Sequence, residues 1–247
     1  MKVLGIIPSR YASSRFPGKP LIDINGKSMI QRVYEGASKS NLITDLVVAT
    51  DDQRIFNEVE SFEGKVVMTA TDHQSGTERC GEVLEKMPDY DVVINIQGDE
   101  PLIKAEQLNQ LLELFKDEEV EIGTIVKAIT QIQDIRNPNR IKVVLDQAKN
   151  GLYFSRSPIP HLANVPHEKW LENSTFYKHI GIYAWQTKTL KQLLSLPASD
   201  LEKKESLEQL RWLYHGYKIR TVETQIETPN IDTPEDLEKV LNELNKI

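Results

Sequence analysis

The sequence predicts an α/β fold: a mostly parallel central sheet flanked by helices, with a smaller, more antiparallel region inserted from about residue 130 to about 215. Three observations carry this. The early strands are continuous apolar runs rather than alternating ones, as expected of strands covered on both faces. Strands and amphipathic helices alternate through the first half. Past about residue 120 the rhythm breaks into short strands punctuated by Asn137-Pro138, Asn150-Gly151 and Pro158-Ile-Pro160. A chain of 247 residues, 39% hydrophobic, suits a single large domain with such an insertion.

In order, Val3 to Ile7 reads as a buried strand that empties into a loop carrying Arg10, Arg15 and Lys19, with Pro17-Gly18 forcing a turn. Main-chain N–H groups of such a loop can cup phosphate oxygens while the cations neutralise charge, so the loop is a candidate polyphosphate receptor. A basic surface loop without function is the competing reading. Ser28 and Gln31 have capping-box spacing ahead of a helix with Ile30, Val33, Tyr34 and Ala37 on one face. Asp45 to Thr50 is a second buried strand and Lys65 to Met68 a short third. Ser75 and Glu78 repeat the capping box before a helix that buries Cys80, Val83, Leu84 and Met87. Asp91 to Gln97 is the strongest strand signal and ends at Gly-Asp-Glu-Pro; Leu108, Leu111, Leu112 and Phe115 face the next helix.

Past residue 120, residues 121–129, 141–145, 152–155 and 177–185 read as strands, with helices over 187–196 and 201–214 inside or beside the inserted region, which is expected to complete the substrate site and support a homodimer. Residues 218–225 form a last strand. Thr233 at an N-cap and Pro234 at the first helical position then open a helix packed by Leu237, Val240, Leu241 and Leu244.

The charge balance argues against a general nucleic-acid binder: 30 Lys plus Arg against 37 Asp plus Glu give a net charge of -7. The basic cluster near residue 10 is therefore local and suits a small anion. One cysteine, Cys80, excludes an internal disulfide and fits a reducing, cytoplasmic setting. No apolar run approaches the roughly 18 residues of a membrane span. No membrane insertion is expected. The histidines His73, His161, His167 and His215 lack zinc-ligand spacing.

Asp99 ends a buried strand and Asp232 precedes a helix much later in the chain. Two carboxylates brought to one sheet edge could hold Mg²⁺, which takes few protein carboxylates and completes its shell with phosphate oxygens and water. Each also has a plain alternative, Asp99 as a turn residue before Pro101 and Asp232 as part of a helix cap. Spacing alone does not bring the two together.

Arg10-Tyr-Ala-Ser-Ser-Arg15-Phe-Pro-Gly-Lys19-Pro20 resembles the opening signature of cytidylyltransferases that activate acidic sugars. Asp72 to Arg79, Gln97-Gly-Asp-Glu-Pro101, Tyr153 to Arg156, His179 to Tyr183, Leu207 to Arg211 and Asp232 to Leu237 follow in the family's order. Together they resemble the branch acting on 3-deoxy-manno-octulosonate (KDO) in lipopolysaccharide biosynthesis. The resemblance implies a Rossmann-like nucleotide-diphospho-sugar transferase fold and transfer of the cytidylyl group of CTP to KDO with Mg²⁺, releasing pyrophosphate. It implies catalytic roles for Arg10, Lys19 and Asp99, with Asp99 and Asp232 on the metal. By the same resemblance Arg10, Arg15 and Lys19 hold the triphosphate, Ser75 and Arg79 lie near cytosine, and Gln97 lies near the ribose. Arg156, His179, Glu208 and Gln209 fall to the sugar.

Three rivals are weaker. A related transferase, for another acidic sugar such as 8-amino-KDO or sialic acid or for a neutral sugar phosphate, would use the same loop and Asp99. A dinucleotide-binding oxidoreductase needs Gly-x-Gly-x-x-Gly after the first strand, where this chain has Pro8-Ser-Arg-Tyr. A non-catalytic homologue would be expected to have lost Lys19, Asp99 or Asp232, and all are present.

Overall fold

The structure, a computed structural model, describes residues 1–12, 16–226, 228–231 and 233–244. The chain forms two compact units, Met1–Asn109 with Glu227–Ile247, and Gln110–Ile226.

In the first unit the apolar runs become strands β1 (Val3–Ser9), β2 (Asp45–Thr50), β3 (Val66–Met68) and β4 (Val92–Asn95). Helices α1 (Met29–Ala37), α2 (Gln53–Ser61) and α3 (Gly76–Lys86) alternate with them, and α4 (Ala105–Glu113) follows β4. The strands lie in the order β3-β2-β1-β4, all parallel. Parallel strands send their carboxyl ends to one edge, where ligands of open α/β sheets bind. The loops after β1 and β4 both start there. Ser28 caps α1 by accepting from Gln31 N at 3.2 Å, and Ser75 caps α3 by accepting from Glu78 N at 3.2 Å. Asp52 caps α2, and its neighbour Asp51 is left to pair with Arg79.

The second unit holds β5 (Ile122–Ala128), α5 (Ile132–Arg136), β6 (Lys142–Leu145), β7 (Gly151–Ser155), α6 (Trp170–Asn173), β8 (Tyr177–Gln186), α7 (Thr187–Leu193), α8 (Asp200–Glu205), α9 (Gln209–Tyr214) and β9 (Arg220–Glu223). Here β8 runs antiparallel to β5 and β6, β6 and β7 form an antiparallel pair, and β5 and β9 are parallel. Trp170 is buried against Phe176, rings 5.3 Å apart, and donates Nε1–H to Val165 O at 3.0 Å. That anchor organises a segment the sequence left unread. The expected helix over 201–214 is instead two helices, α8 and α9. Ser206 adopts a left-handed conformation at φ 51 between them, a stop usually signalled by Gly or Asn.

The chain then returns to the first unit as α10 (Pro234–Leu244). Thr233 N donates to Asp236 Oδ2 at 3.1 Å, and Leu237, Leu241 and Leu244 pack on the buried cluster of Ile24, Met29, Ile231 and Val240. This packing fixes Ile231, whose N–H donates to Asp99 O at 2.9 Å.

Candidate functional site

The loop after β1 is closed by Gly18 N donating to Tyr11 O at 3.0 Å. Gly18 sits at φ +71 with its Cα against the Tyr11 ring, where a Cβ would come within 3.1 Å of the aromatic carbons. The turn delivers Lys19 inward. Its Nζ donates to Asp99 Oδ2 at 2.9 Å and to Ile231 O at 2.8 Å, so the strand-end carboxylate and the returning C-terminal segment meet on one ammonium.

Lys19 and Asp99 line a cavity of about 280 Å³ together with Arg10, Ser75, Arg79 and Gln97. Six predicted nucleotide or catalytic residues thus share one wall system. Arg15 and Asp232 lie outside the described residues. Arg10 is exposed. Arg79 is buried, giving Nη2–H to Asp51 Oδ2 at 2.9 Å and Nη1–H to Thr69 Oγ1 and Ala70 O. Its guanidinium therefore fixes the Thr69 side chain and the Ala70 carbonyl as well as lining the cavity. Next to Asp99, burial and then the Asp99 charge push the Glu100 carboxyl up to about 8, while Thr228 Oγ1 donates to it at 3.0 Å. Glu100 is neutral at pH 7, leaving Asp99 as the carboxylate at the cavity.

In the second unit Arg156 gives Nε–H to Glu205 O at 2.7 Å, Nη1–H to Pro138 O at 3.1 Å and Nη2–H to Ser206 O at 3.2 Å. Three of its five N–H donors hold carbonyls; the other two have no partner among the described residues. Two of these carbonyls, Glu205 O and Ser206 O, lie at the end of α8, where Ser206 stops the helix. His179 sits with Nε2 2.9 Å from Thr124 Oγ1, edge-on to Phe154 and beside Tyr183. Burial pushes its pKa down to about 3, so the imidazole is neutral. Burial and then the Glu208 charge raise the Tyr183 hydroxyl well above its usual value. Tyr183 OH, Trp185 Nε1 and Gln209 Nε2 are buried without hydrogen-bond partners among the described residues. Buried polar atoms are normally paired, so this group is chemically conspicuous. Arg156 thus holds Ser206, just ahead of α9, and the Glu208 charge acts on Tyr183, whose ring lies 5.1 Å from that of His179.

A family model described as "Cytidylyltransferase" matches residues 4–219. The chain belongs to this cytidylyltransferase family. It is 52% identical over 246 residues to the 3-deoxy-manno-octulosonate cytidylyltransferase of Parabacteroides distasonis, covering 98% of this chain and 97% of that one. It is 53% identical over 241 residues to the protein of the same name from Bacteroides thetaiotaomicron, covering 96% of each. A solved CMP:2-keto-3-deoxy-manno-octonic acid synthetase complexed with CTP superposes with a TM-score of 0.93 at 43% identity, over 100% of this chain and 99% of that one.

Within this family frame, several residues escaped the sequence reading. Lys142 is fully buried, its Nζ donating to Asn137 O, Arg140 O and Arg156 O at 2.9, 2.7 and 2.5 Å. Glu205 accepts from Ser155 Oγ at 2.6 Å and Arg156 N at 2.9 Å. Neither was singled out from the sequence. Ser9 lines the cavity with a buried Oγ that has no hydrogen-bond partner among the described residues, and its place at the end of β1 was the available signal. Leu207 to Arg211 is partly architectural: Arg211 forms a two-bond pair with Glu202, which closes the Ser199 capping box.

Among the described residues no three His, Cys, Asp or Glu side chains gather as a metal cage. One cavity carboxylate, Asp99, still fits a hard cation of the Mg²⁺ type, which takes one or two protein carboxylates and fills its shell with phosphate oxygens and water.

Proposed function

We propose that the chain transfers the cytidylyl group of CTP to the anomeric hydroxyl of KDO, giving CMP-KDO and pyrophosphate. The observation that carries this reading is the Lys19 ammonium held on Asp99 and Ile231 in a cavity that also presents Arg10, Ser75, Arg79 and Gln97. The names of the relatives at about half identity supply the substrates.

The sugar hydroxyl oxygen forms a bond to the α-phosphorus as the bond to pyrophosphate breaks, and the hydroxyl proton passes to solvent. Such transfers need positioning and charge neutralisation rather than a protein nucleophile. Arg10 and Arg15 bind the triphosphate. Lys19 follows the charge that grows on the leaving pyrophosphate. Asp99, with Asp232, would hold Mg²⁺, which when bound supplies charge neutralisation at the phosphates. Ser75 and Arg79 bind the base and Gln97 the ribose. For the acidic sugar, Arg156 offers its two remaining N–H donors to the carboxylate. Neutral His179, Glu208 and Gln209, with Tyr183 and Trp185, offer polar atoms to hydroxyls. The working protein is a homodimer in the cytoplasm.

Pyrophosphate release with CTP and Mg²⁺ tests the reading across KDO, 8-amino-KDO, sialic acid and a neutral sugar phosphate. KDO should give the highest kcat/KM; a faster reaction with any other acceptor overturns the assignment of the sugar.

A further inference from the structure

His73 lines the same cavity beside Ser75, Gly76 and Arg79, and nothing above gives it a role. Its Nε2 lies 2.5 Å from Glu82 Oε2. Glu82 also accepts from Ala70 N at 2.8 Å and, through Oε1, from Lys86 Nζ at 2.7 Å. Burial works to raise the Glu82 pKa, but Lys86, Ala70 N–H and His73 more than offset it and leave it at about 2. Glu82 is therefore a carboxylate and can only accept. The shared hydrogen must sit on the ring, which fixes His73 with a proton on Nε2. Glu82 also pairs with the Lys86 ammonium, and the contact with His73 needs only the one ring hydrogen that the neutral imidazole carries. Its Nδ1 is then a lone-pair acceptor, and it has no hydrogen-bond partner among the described residues.

The support behind the ring is rigid. Arg79, Glu82 and Lys86 lie on one face of α3, and all three grip the backbone or side chains of residues 68–73: Arg79 on Thr69 and Ala70, Glu82 on Ala70 and His73, Lys86 on Met68 O at 2.6 Å. The helix that Ser75 caps and that carries Arg79, the two predicted base-binding residues, thus also sets the tautomer of a third cavity residue. Cytosine and uracil differ where such an acceptor can read them. Cytosine carries an amine donor at position 4, whereas uracil carries a carbonyl acceptor that a lone pair repels.

We propose that His73, held in its Nε2-protonated form by Glu82, is a specificity-determining residue that accepts a hydrogen bond from the cytosine 4-amine and so selects CTP over UTP. The inference rests on the proposed use of CTP and deepens it by naming the group that rejects uracil. Sites built to pair a polar group discriminate strongly against an analogue that leaves the partner unsatisfied.

Equilibrium binding of CTP, UTP and the pyrimidin-2-one ribonucleoside triphosphate, which lacks the amine, tests it by calorimetry with Mg²⁺ and no sugar. His73→Ala should weaken CTP roughly tenfold or more, leave the amine-free analogue within about twofold, and shrink the CTP/UTP ratio by the factor lost for CTP. His73→Asn, whose amide oxygen stands near the place of Nδ1, should restore most of the ratio. Glu82→Gln, which releases the tautomer, should lower the ratio without removing the ring. Equal losses for all three nucleotides in His73→Ala, or an unchanged CTP/UTP ratio, overturn the proposal. Failure of the wild-type chain to bind CTP at all overturns the functional reading instead, and this inference with it.

Discussion

Replacing His179 by Gln tests the electrostatics of the second unit. The unfolded chain takes up a proton on His179 near pH 6.5, whereas the folded chain does so only near pH 3, because burial penalises the imidazolium. Between those values the unfolded state binds more protons, so stability is full above pH 6.5 and is lost as pH falls. At pH 5 the uptake is about 1.5 pH units below the unfolded pKa. At 1.36 kcal/mol per unit, His179 then withdraws about 2 kcal/mol from the folded state relative to pH 8. The Gln side chain can still reach Thr124 Oγ1 but gives up the edge contact with Phe154 at 5.2 Å and the tilted contact with Tyr183 at 5.1 Å. Those contacts together are worth about 1–3 kcal/mol at pH 8. The variant should therefore be less stable than wild type at pH 8, and the gap should close by about 2 kcal/mol at pH 5. Urea unfolding followed by tryptophan fluorescence reads the relevant region, because Trp170, Trp185 and Trp212 all belong to the second unit. Other titrating groups cancel in the difference. A gap that stays constant from pH 8 to pH 5 would refute a buried neutral His179.

Three further outcomes are expected. Lys19→Met should lower kcat by about a hundredfold or more, since a charge meeting the leaving pyrophosphate acts mainly in the transition state; an unchanged rate in a pyrophosphate assay would return the opening loop to a surface role. Asp99→Asn should abolish nearly all Mg²⁺-dependent turnover, and near-normal rates across a Mg²⁺ titration would remove Asp99 from the metal. Arg156→Ala should raise KM for the acidic sugar more than for CTP, and equal shifts in both would assign Arg156 to holding the 205–206 carbonyls alone.

The parallel half was legible because buried parallel strands are written as apolar runs. Val3 to Ile7, Asp45 to Thr50 and the core of Asp91 to Gln97 all became strands, with the helices between them capped at Ser28 and Ser75. The cavity residues were legible through motif order, and the structure gathers Arg10, Lys19, Ser75, Arg79, Gln97 and Asp99. Less legible was anything decided by a partner distant in sequence. Lys142 sits in a strand reading Ile-Lys-Val-Val-Leu, where a lysine ordinarily faces water; only the convergence of three carbonyls makes its burial tolerable. Ser206 gives no Gly or Asn signal for the stop between α8 and α9, so the periodicity of Leu201 to Tyr214 misread two helices as one. His73 looked unassigned because its meaning depends on Glu82, nine residues on across a helix start.

The Lys19–Asp99 pair makes a sharper statement than either residue alone. Their side chains are only 14% and 26% exposed, so each charge depends on the other for part of its solvation. In the proposed reaction the two part company: Asp99 turns to the metal and Lys19 to the phosphates, each exchanging one opposite charge for another. Removing either member therefore does two kinds of damage. Asp99→Asn would lose the proposed metal ligand and leaves Lys19 without a carboxylate at Oδ2; Lys19→Met would lose the proposed phosphate contact and leaves Asp99 uncompensated beside Glu100, which burial already holds neutral. Residues that work as such a unit are strongly non-additive. The Lys19→Met/Asp99→Asn double variant should fall little below the Asp99→Asn variant, within about tenfold in kcat. If the two losses instead multiply, the pair acts as independent groups and the exchange of partners is wrong.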